Sequence, residues 1–189
     1  MADLQTLVDD LLLLARSDAG AVSGPTAAVD LDDLVLDEVR GLAYTSVRFD
    51  LTGVSGAQLE GVEADLRRMI RNLLSNAAAH ARSVVAVTLQ EQDDMIVLHV
   101  DDDGEGIPYF QRLDVFERFA RLDPSRTSST GGTGLGLAIV KDVVIRHGGN
   151  VHIDDSPLGG ARFTVEFPIR DVPRPARSET LRLHRVTAS

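Results

Sequence analysis

Residues 64–81 carry apolar side chains at helical spacing (Leu66, Met69, Ile70, Leu73, Ala77). Two runs that alternate with period two follow at once, 83–90 and 95–101, joined only by the polar link Glu91-Gln92-Asp93-Asp94. This succession constrains the fold more than any other feature. A link that short makes the two strands neighbours in an antiparallel pair, because parallel strands need a crossover of about a dozen residues. The helix has one apolar stripe to bury and the hairpin has one apolar face, so each covers the other. The fold class is therefore α+β, a two-layer sandwich with helices on one face of a single sheet.

The remaining pattern extends that reading. Leu31, Leu34, Val35, Val39 and Leu42 predict a helix over 31–43, residues 47–51 alternate as a short strand, and 134–147 is helical until Gly148-Gly149 stops it. Residues 150–154 and 161–167 form a second hairpin about Pro157-Leu158-Gly159-Gly160. From 103 to 133 the chain is rich in Gly, Pro, Ser, Thr and Arg, broken only by Phe116-Glu117-Arg118-Phe119. A loop of that length in a compact domain is functional or disordered. At the N-terminus Leu4, Leu7, Leu11 and Leu14 form an a/d seam of about two heptads, the closing part of a longer helix. Domain boundaries follow: 1–19 as the end of that helix, 20–30 as a linker containing Gly24-Pro25, 31–170 as the folded domain, and 171–189 as a polar, arginine-rich tail expected to be disordered.

The net charge of -10 argues against nucleic acid as a main ligand. It does not exclude a small anion held by backbone N–H groups and a metal ion. With no cysteine, disulfides, thiolate catalysis and cysteine-bound zinc are excluded. No apolar run approaches the ~18 residues of a membrane span. The opening residues Met1-Ala2-Asp3-Leu4 lack a basic leader, and a cytoplasmic address with no direct membrane contact is expected.

Three segments carry chemistry. Asn72, Asn76 and His80 fall at i, i+4 and i+8 of the long helix, on the shoulder of its apolar stripe. Amide oxygens there suit Mg2+ that keeps water and phosphate oxygens as its other ligands. Surface asparagines satisfy the same spacing. Second, alternation puts Asp102 on the face of Ile96, Leu98 and Val100. A carboxylate on that face needs a donor, which the exocyclic amine of a bound base would supply. The alternative, a solvent-exposed acidic turn, is the reading for Asp101 and Asp103. Gly104 and Gly106 let the backbone approach a flat ligand. Third, Gly131-Gly132-Thr133-Gly134-Leu135-Gly136-Leu137 opens a helix, where free N–H groups and the helix dipole favour phosphate. A flexible hinge is the other reading. There is no GxxxxGK[ST], and no strand precedes the glycines, so neither a P-loop nor a Rossmann fingerprint fits.

In this order the segments resemble the nucleotide-binding (Bergerat-type) fold shared by gyrase, heat-shock chaperones, histidine kinases and mismatch-repair proteins. Residues 71–81 resemble the N box, 102–107 the G1 box and 132–137 the G2 box. Phe116-Glu117-Arg118-Phe119-Ala120-Arg121 resembles the F box that singles out histidine kinases. The resemblance implies a mixed, mostly antiparallel sheet and binding of ATP with Mg2+. Asn76 would ligate the metal with Asn72 beside it, and His80 and Arg82 would face the phosphates. Asp102 would accept a hydrogen bond from the adenine amine, with Gly104, Gly106 and Ile107 shaping that pocket. Gly132, Thr133, Gly134, Leu135, Gly136 and Leu137 would supply the lid hinge and phosphate contacts. Phe116 and Phe119 would anchor an ATP lid over 108–133, and Arg118 or Arg121 would reach the γ-phosphate.

The resemblance further implies transfer of the γ-phosphoryl group to a histidine on a dimerisation domain, and a response-regulator receiver domain as the next partner. The parent kinase could be anchored in the inner membrane. None of the five histidines is followed by the acidic residue of the family's phosphoacceptor motif. The expectation is therefore a cut-down piece of a longer sensor kinase, with a split kinase as the other possibility. Three alternatives belong to other classes. An anti-sigma-type serine kinase is opposed by the F box and the 4–14 seam. A gyrase-like ATPase would need an activating glutamate where Asn72 stands. A degenerate nucleotide-binding module is opposed by the intact glycines and Asp102.

Overall fold

The computed structural model describes residues 24–42, 45–120 and 133–169. In chain order the elements are β1 (Ala27–Asp30), α1 (Leu31–Gly41), β2 (Arg48–Val54), β3 (Gln58–Gly61) and α2 (Glu63–His80). They are followed by β4 (Val84–Gln92), β5 (Met95–Asp102), α3 (Gly136–Arg146), β6 (Asn150–Asp155) and β7 (Ala161–Pro168). Two short 3-10 turns, Tyr109–Gln111 and Asp114–Phe116, lie between β5 and α3.

The main sheet has the order β2-β4-β5-β7-β6; β2 and β4 are parallel and every other pair is antiparallel. Cross-strand register explains its two faces. One row joins Val87, Val100, Phe163 and Ile153, and the next joins Leu89, Leu98 and Val165. All seven side chains are buried, in one core with Leu66, Met69, Ile70, Leu73 and Ala77 of α2 and with Ile139, Val140, Val143 and Val144 of α3. Each fully buried Leu, Ile or Phe contributes about 1.5–3 kcal/mol. The α+β sandwich is thus the fold this periodicity predicts, and its mixed, mostly antiparallel sheet is the one the resemblance implies.

Element ends shift by a few residues, β2 running to Val54 rather than 51, and three departures from the sequence reading have a physical cause. Residues 27–30, assigned to a linker by composition, form β1 and pair with β3, a strand the sequence reading misses. Each strand has four residues, too few for a periodic signal. The turn after β4 is only Asp93-Asp94, both at positive φ (49° and 61°), as a two-residue type I′ hairpin requires. The strands therefore run on to a Gln92–Met95 pair. Asp101 is not a solvated turn residue. It is 2% exposed and receives two hydrogen bonds from Arg162, 2.8 and 2.9 Å long. A bidentate guanidinium is what makes a buried carboxylate tolerable there.

Charged ties fix the helices in the same way. At the far end from the glycine loops, Arg146 Nη1 of α3 lies 2.6 Å from Asp65 Oδ2 of α2. His147 Nε2 accepts the Val62 N–H at 3.2 Å while its Nδ1 bonds the Val143 carbonyl at 2.8 Å. Between α1 and α2, Arg71 grips Glu38 through Nε and Nη2 at 2.7 and 3.1 Å, with Arg67 alongside. Burial by itself would raise the Glu38 carboxyl, but the hydrogen bonds and charge of Arg71 and Arg67 bring it below its ordinary value. A depressed carboxyl contributes stability that is complete above the unfolded-state pKa of about 4.3 and is lost as pH falls through the folded-state value. Glu38→Ala should therefore lower unfolding free energy at pH 7 by about 1–2 kcal/mol. In denaturant titrations the gap between variant and wild type should close below about pH 4. A gap that stays constant with pH would mean the effect is packing rather than the ion pair.

Candidate functional site

Helix α2 brings the three chemistry-bearing segments together. Asn72, half-buried, donates from Nδ2 to the carbonyl of Gly136, the first residue of α3, at 3.2 Å. Asn76, one turn on, is also half-buried, and among the described residues it has no hydrogen-bond partner. His80 ends the helix with an exposed side chain, and its carbonyl lies against Gly104. Eight residues at 1.5 Å each separate the two ends by about 12 Å. The glycines of 133–136 thus sit at one end of an amide-lined edge and those of 104–106 at the other.

At the second end stands Asp102, 2% exposed and paired with Val85 as the last rung of the core-facing rows. Its Oδ1 accepts the backbone N–H of Gly104 at 2.8 Å and of Ala161 at 3.1 Å. Its own carbonyl accepts the Gly160 N–H at 3.2 Å. Both carboxylate bonds fall on Oδ1, and no hydrogen bond to Oδ2 occurs among the described residues. Close approach explains the glycines. A Cβ on Gly104 would overlap the His80 carbonyl oxygen, and one on Gly160 would lie 2.5 Å from both Asp102 O and Gly104 N. Gly106 takes φ +73 with its Cβ position 3.3 Å from the Gly160 carbonyl oxygen. Ile107 follows, partly buried against the core.

Asp103, read as a solvated turn residue, is half-buried and accepts the N–H groups of Arg82 and Ser83 at 2.7 and 3.0 Å. The Ser83 hydroxyl, followed by these N–H groups, holds its carboxyl well below the ordinary aspartate range. This ties the exit of α2 to the Asp102 loop. The Arg82 side chain is exposed.

The two phenylalanines at i and i+3 part company. Phe116 is 6% exposed and belongs to the core, whereas the Phe119 ring is 62% exposed. Phe119 is instead held by its backbone: at φ +64 it donates its N–H to the Gly134 carbonyl at 2.8 Å. Lys141 of α3 reaches Glu117 at 3.1 Å beside this clasp. Thr133 is exposed and its hydroxyl accepts the Leu135 N–H at 3.4 Å; Leu135 is fully buried and Leu137 half-buried. Arg118 is exposed beside Lys141 and Asp142. Arg121, Gly132 and the rest of 121–132, the 4–14 seam and the tail lie outside the described residues.

Among the described residues no cluster of three or more His, Cys, Asp or Glu could cage a metal. A hard cation that takes one or two protein oxygens and fills its shell with water and phosphate still fits the edge of α2. Asn72 spends its Nδ2 on Gly136, which leaves its Oδ1 for such an ion, and Asn76 has no hydrogen-bond partner among the described residues. The sequence reading misses two partners of Asp102, the backbone N–H groups of Gly160 and Ala161. Only their position in the last hairpin could have flagged them. No helix of the described residues is long and apolar enough to cross a membrane.

Comparison with known proteins identifies the family. Residues 61–171 match the family described as histidine kinase-, DNA gyrase B- and HSP90-like ATPase. The chain is 38% identical over 173 residues to the sensor protein RstB of Escherichia coli K12, covering 89% of this chain and 40% of that protein. The structure of the mycobacterial sensor histidine kinase MprB superposes with a TM-score of 0.67 at 32% identity, over 76% of this chain and 97% of that one. Full-length ShkA in complex with AMPPNP gives 0.72 at 27% identity, over 88% of this chain and 36% of that one. The chain thus spans about two fifths of the length of a curated relative. Matched by the family model over residues 61–171, the chain belongs to the histidine kinase-, DNA gyrase B- and HSP90-like ATPase family.

Proposed function

We propose that this chain is the ATP-binding catalytic domain of a two-component sensor histidine kinase, which transfers the γ-phosphoryl group of ATP to a histidine on a dimerisation domain. The observation that carries the reading is Asp102. Two backbone donors occupy its Oδ1, so its Oδ2 is left as an acceptor of fixed direction, with glycine backbone packed closely around the carboxylate. An adenine amine is a donor of the right kind; the 6-oxo group of guanine is not. Placing the base there directs the phosphates along the α2 edge toward Asn76, Asn72 and the N-terminus of α3, whose N–H groups and dipole favour anions.

The reaction is a substitution at phosphorus. An imidazole nitrogen of the partner forms the N–P bond as the bond to the β-phosphate oxygen breaks, and ADP leaves. The chain's residues act by positioning: Asp102 fixes the base, Asn72 holds the first turn of α3 in register with α2, and the glycine N–H groups receive phosphate oxygens. Mg2+, when bound at Asn76 and Asn72, supplies charge neutralisation across the phosphates. His80 and Arg82, expected at the phosphates, stand instead at the base end of this edge, beside Gly104 and Asp103, and Arg118 or Arg121 would meet the γ-phosphate. The histidine-bearing dimerisation domain and a response-regulator receiver are the proposed partners, in the cytoplasm.

Incubating the chain with ATP-Mg2+ and a separate histidine-bearing dimerisation domain from a relative should yield acid-labile, base-stable phosphohistidine on the partner and none on the chain itself. Asn76→Ala should reduce this by about 100-fold or more, a loss of about 3 kcal/mol at the transition state. Acid-stable phosphoserine would favour the anti-sigma-type kinase, and ATP hydrolysis with no phosphoprotein the gyrase-like ATPase. Gly160→Ala should lower both the melting temperature and ATP affinity, because its Cβ would press on backbone atoms that cannot swing away. An unchanged ATP affinity in that variant would separate the last hairpin from the nucleotide site.

A further inference from the structure

The turn that follows the Asp102 loop has its polarity reversed. In Tyr109-Phe110-Gln111-Arg112-Leu113 the large apolar residues point outward: Tyr109 is 86%, Phe110 77% and Leu113 81% exposed. The arginine between them is the inward residue, its side chain only 15% exposed. Arginine is among the residues least often buried, and a covered guanidinium requires acceptors on several sides.

Arg112 finds them on two separate segments. Its Nε donates to the Ile107 carbonyl at 3.0 Å. Its Nη1 donates to the Ile153 carbonyl at 3.4 Å and lies 4.0 Å from Asp154 Oδ1, and its Nη2 bonds Asp155 Oδ1. The Tyr109 ring sits 5.8 Å from the guanidinium carbon. Ile107 closes the loop that begins at Asp102. Asp155 ends β6, directly before the turn that delivers Gly160 and Ala161 to Asp102. Gly104 lies in the first segment and Ala161 is paired across the hairpin with Asp155 of the second, and their N–H groups converge on Asp102 Oδ1. They also touch where Gly106 faces Gly160.

We propose that Arg112 is a positioning residue for base selection: its guanidinium fork ties the 104–107 loop to the end of β6, so that the Gly104 and Ala161 N–H groups hold Asp102 in one rotamer. The proposal rests on the reading of Asp102 as the base-recognising carboxylate. Only a planar fork reaches three acceptors in different directions, so lysine is not an equivalent replacement. With the tie cut, the two donors part, Asp102 gains rotational freedom, and the site loses discrimination between donor and acceptor groups on the base. Contacts to the phosphates, which lie along α2, are untouched.

The test compares ATP, GTP and inorganic triphosphate, each with Mg2+, as ligands of the full chain carrying Arg112→Ala, Arg112→Lys or Asp155→Asn, with thermal melts alongside. The proposal predicts that Arg112→Ala weakens ATP about tenfold, a change on the scale of one well-placed hydrogen bond. The ATP-to-GTP preference narrows, and triphosphate affinity stays as in wild type. Arg112→Lys and Asp155→Asn shift the preference in the same direction by less, and serve as the readout if the alanine variant does not fold. A wild-type ATP-to-GTP ratio in every folded variant overturns the proposal, as does an equal loss for ATP and triphosphate. If wild type binds none of the nucleotides, the underlying functional reading fails and the proposal falls with it.

Discussion

At the end of β5 a carboxylate that is 2% exposed completes the apolar rows of the sheet, and the backbone around it is built to hold a charge there. Left unpaired, Asp102 would cost several kcal/mol. Two N–H groups from separate segments, Gly104 and Ala161, meet its Oδ1, and a third bonds its carbonyl. That demand fixes much else. Gly104 and Gly160 have no room for a side chain, the last hairpin must return to β5 at this rung, and the 104–107 loop must turn away over Gly106 at positive φ. Both of its carboxylate hydrogen bonds within the fold fall on one oxygen, Oδ1, and under the proposed function the other is the one that meets the base.

Helix α2 then sets the distance between this carboxylate and the glycines that open α3. Its apolar stripe is fixed in the core, so its shoulder residues cannot rotate. The Asn72–Gly136 bond marks one end of the edge and the His80–Gly104 contact the other. The opposite ends of α2 and α3 are locked by Asp65–Arg146 and by His147 between Val62 and Val143. Rigid support on one side and glycine backbone on the other is the arrangement expected of a site that positions a reactant rather than attacking it.

Most of this was legible where the signal was periodic. Alternation placed Asp102 on the core face because Ile96, Leu98 and Val100 precede it in strict register, and helical spacing placed Asn72 and Asn76 on the shoulder of a stripe. What escaped depended on partners far along the chain. Asp101 reads as the start of an acidic turn, yet Arg162 sits 61 residues away on the neighbouring strand and buries it. Strands β1 and β3 hold four residues each and gain their identity only by pairing with each other. Phe119 resembles Phe116 in sequence but is turned out of the core by a left-handed backbone bonded to Gly134. Arg112 runs against residue-type preference altogether, and no hydropathy pattern would place it inside a turn whose apolar neighbours face water.

The most direct test of the account is a calorimetric titration of ATP-Mg2+ and GTP-Mg2+ into wild type and Asp102→Asn. In the variant the amide oxygen must stay on the Gly104 and Ala161 N–H groups, so its NH2 takes the place of Oδ2 and meets the adenine amine donor to donor. The account predicts that wild type binds ATP in preference to GTP. It predicts that the variant loses about 10- to 100-fold for ATP, on the scale of one unsatisfied buried group, while GTP, with its 6-oxo acceptor, improves relative to ATP. Equal ATP affinity in the two proteins, with selectivity unchanged, would contradict it and remove Asp102 from the reading of the base.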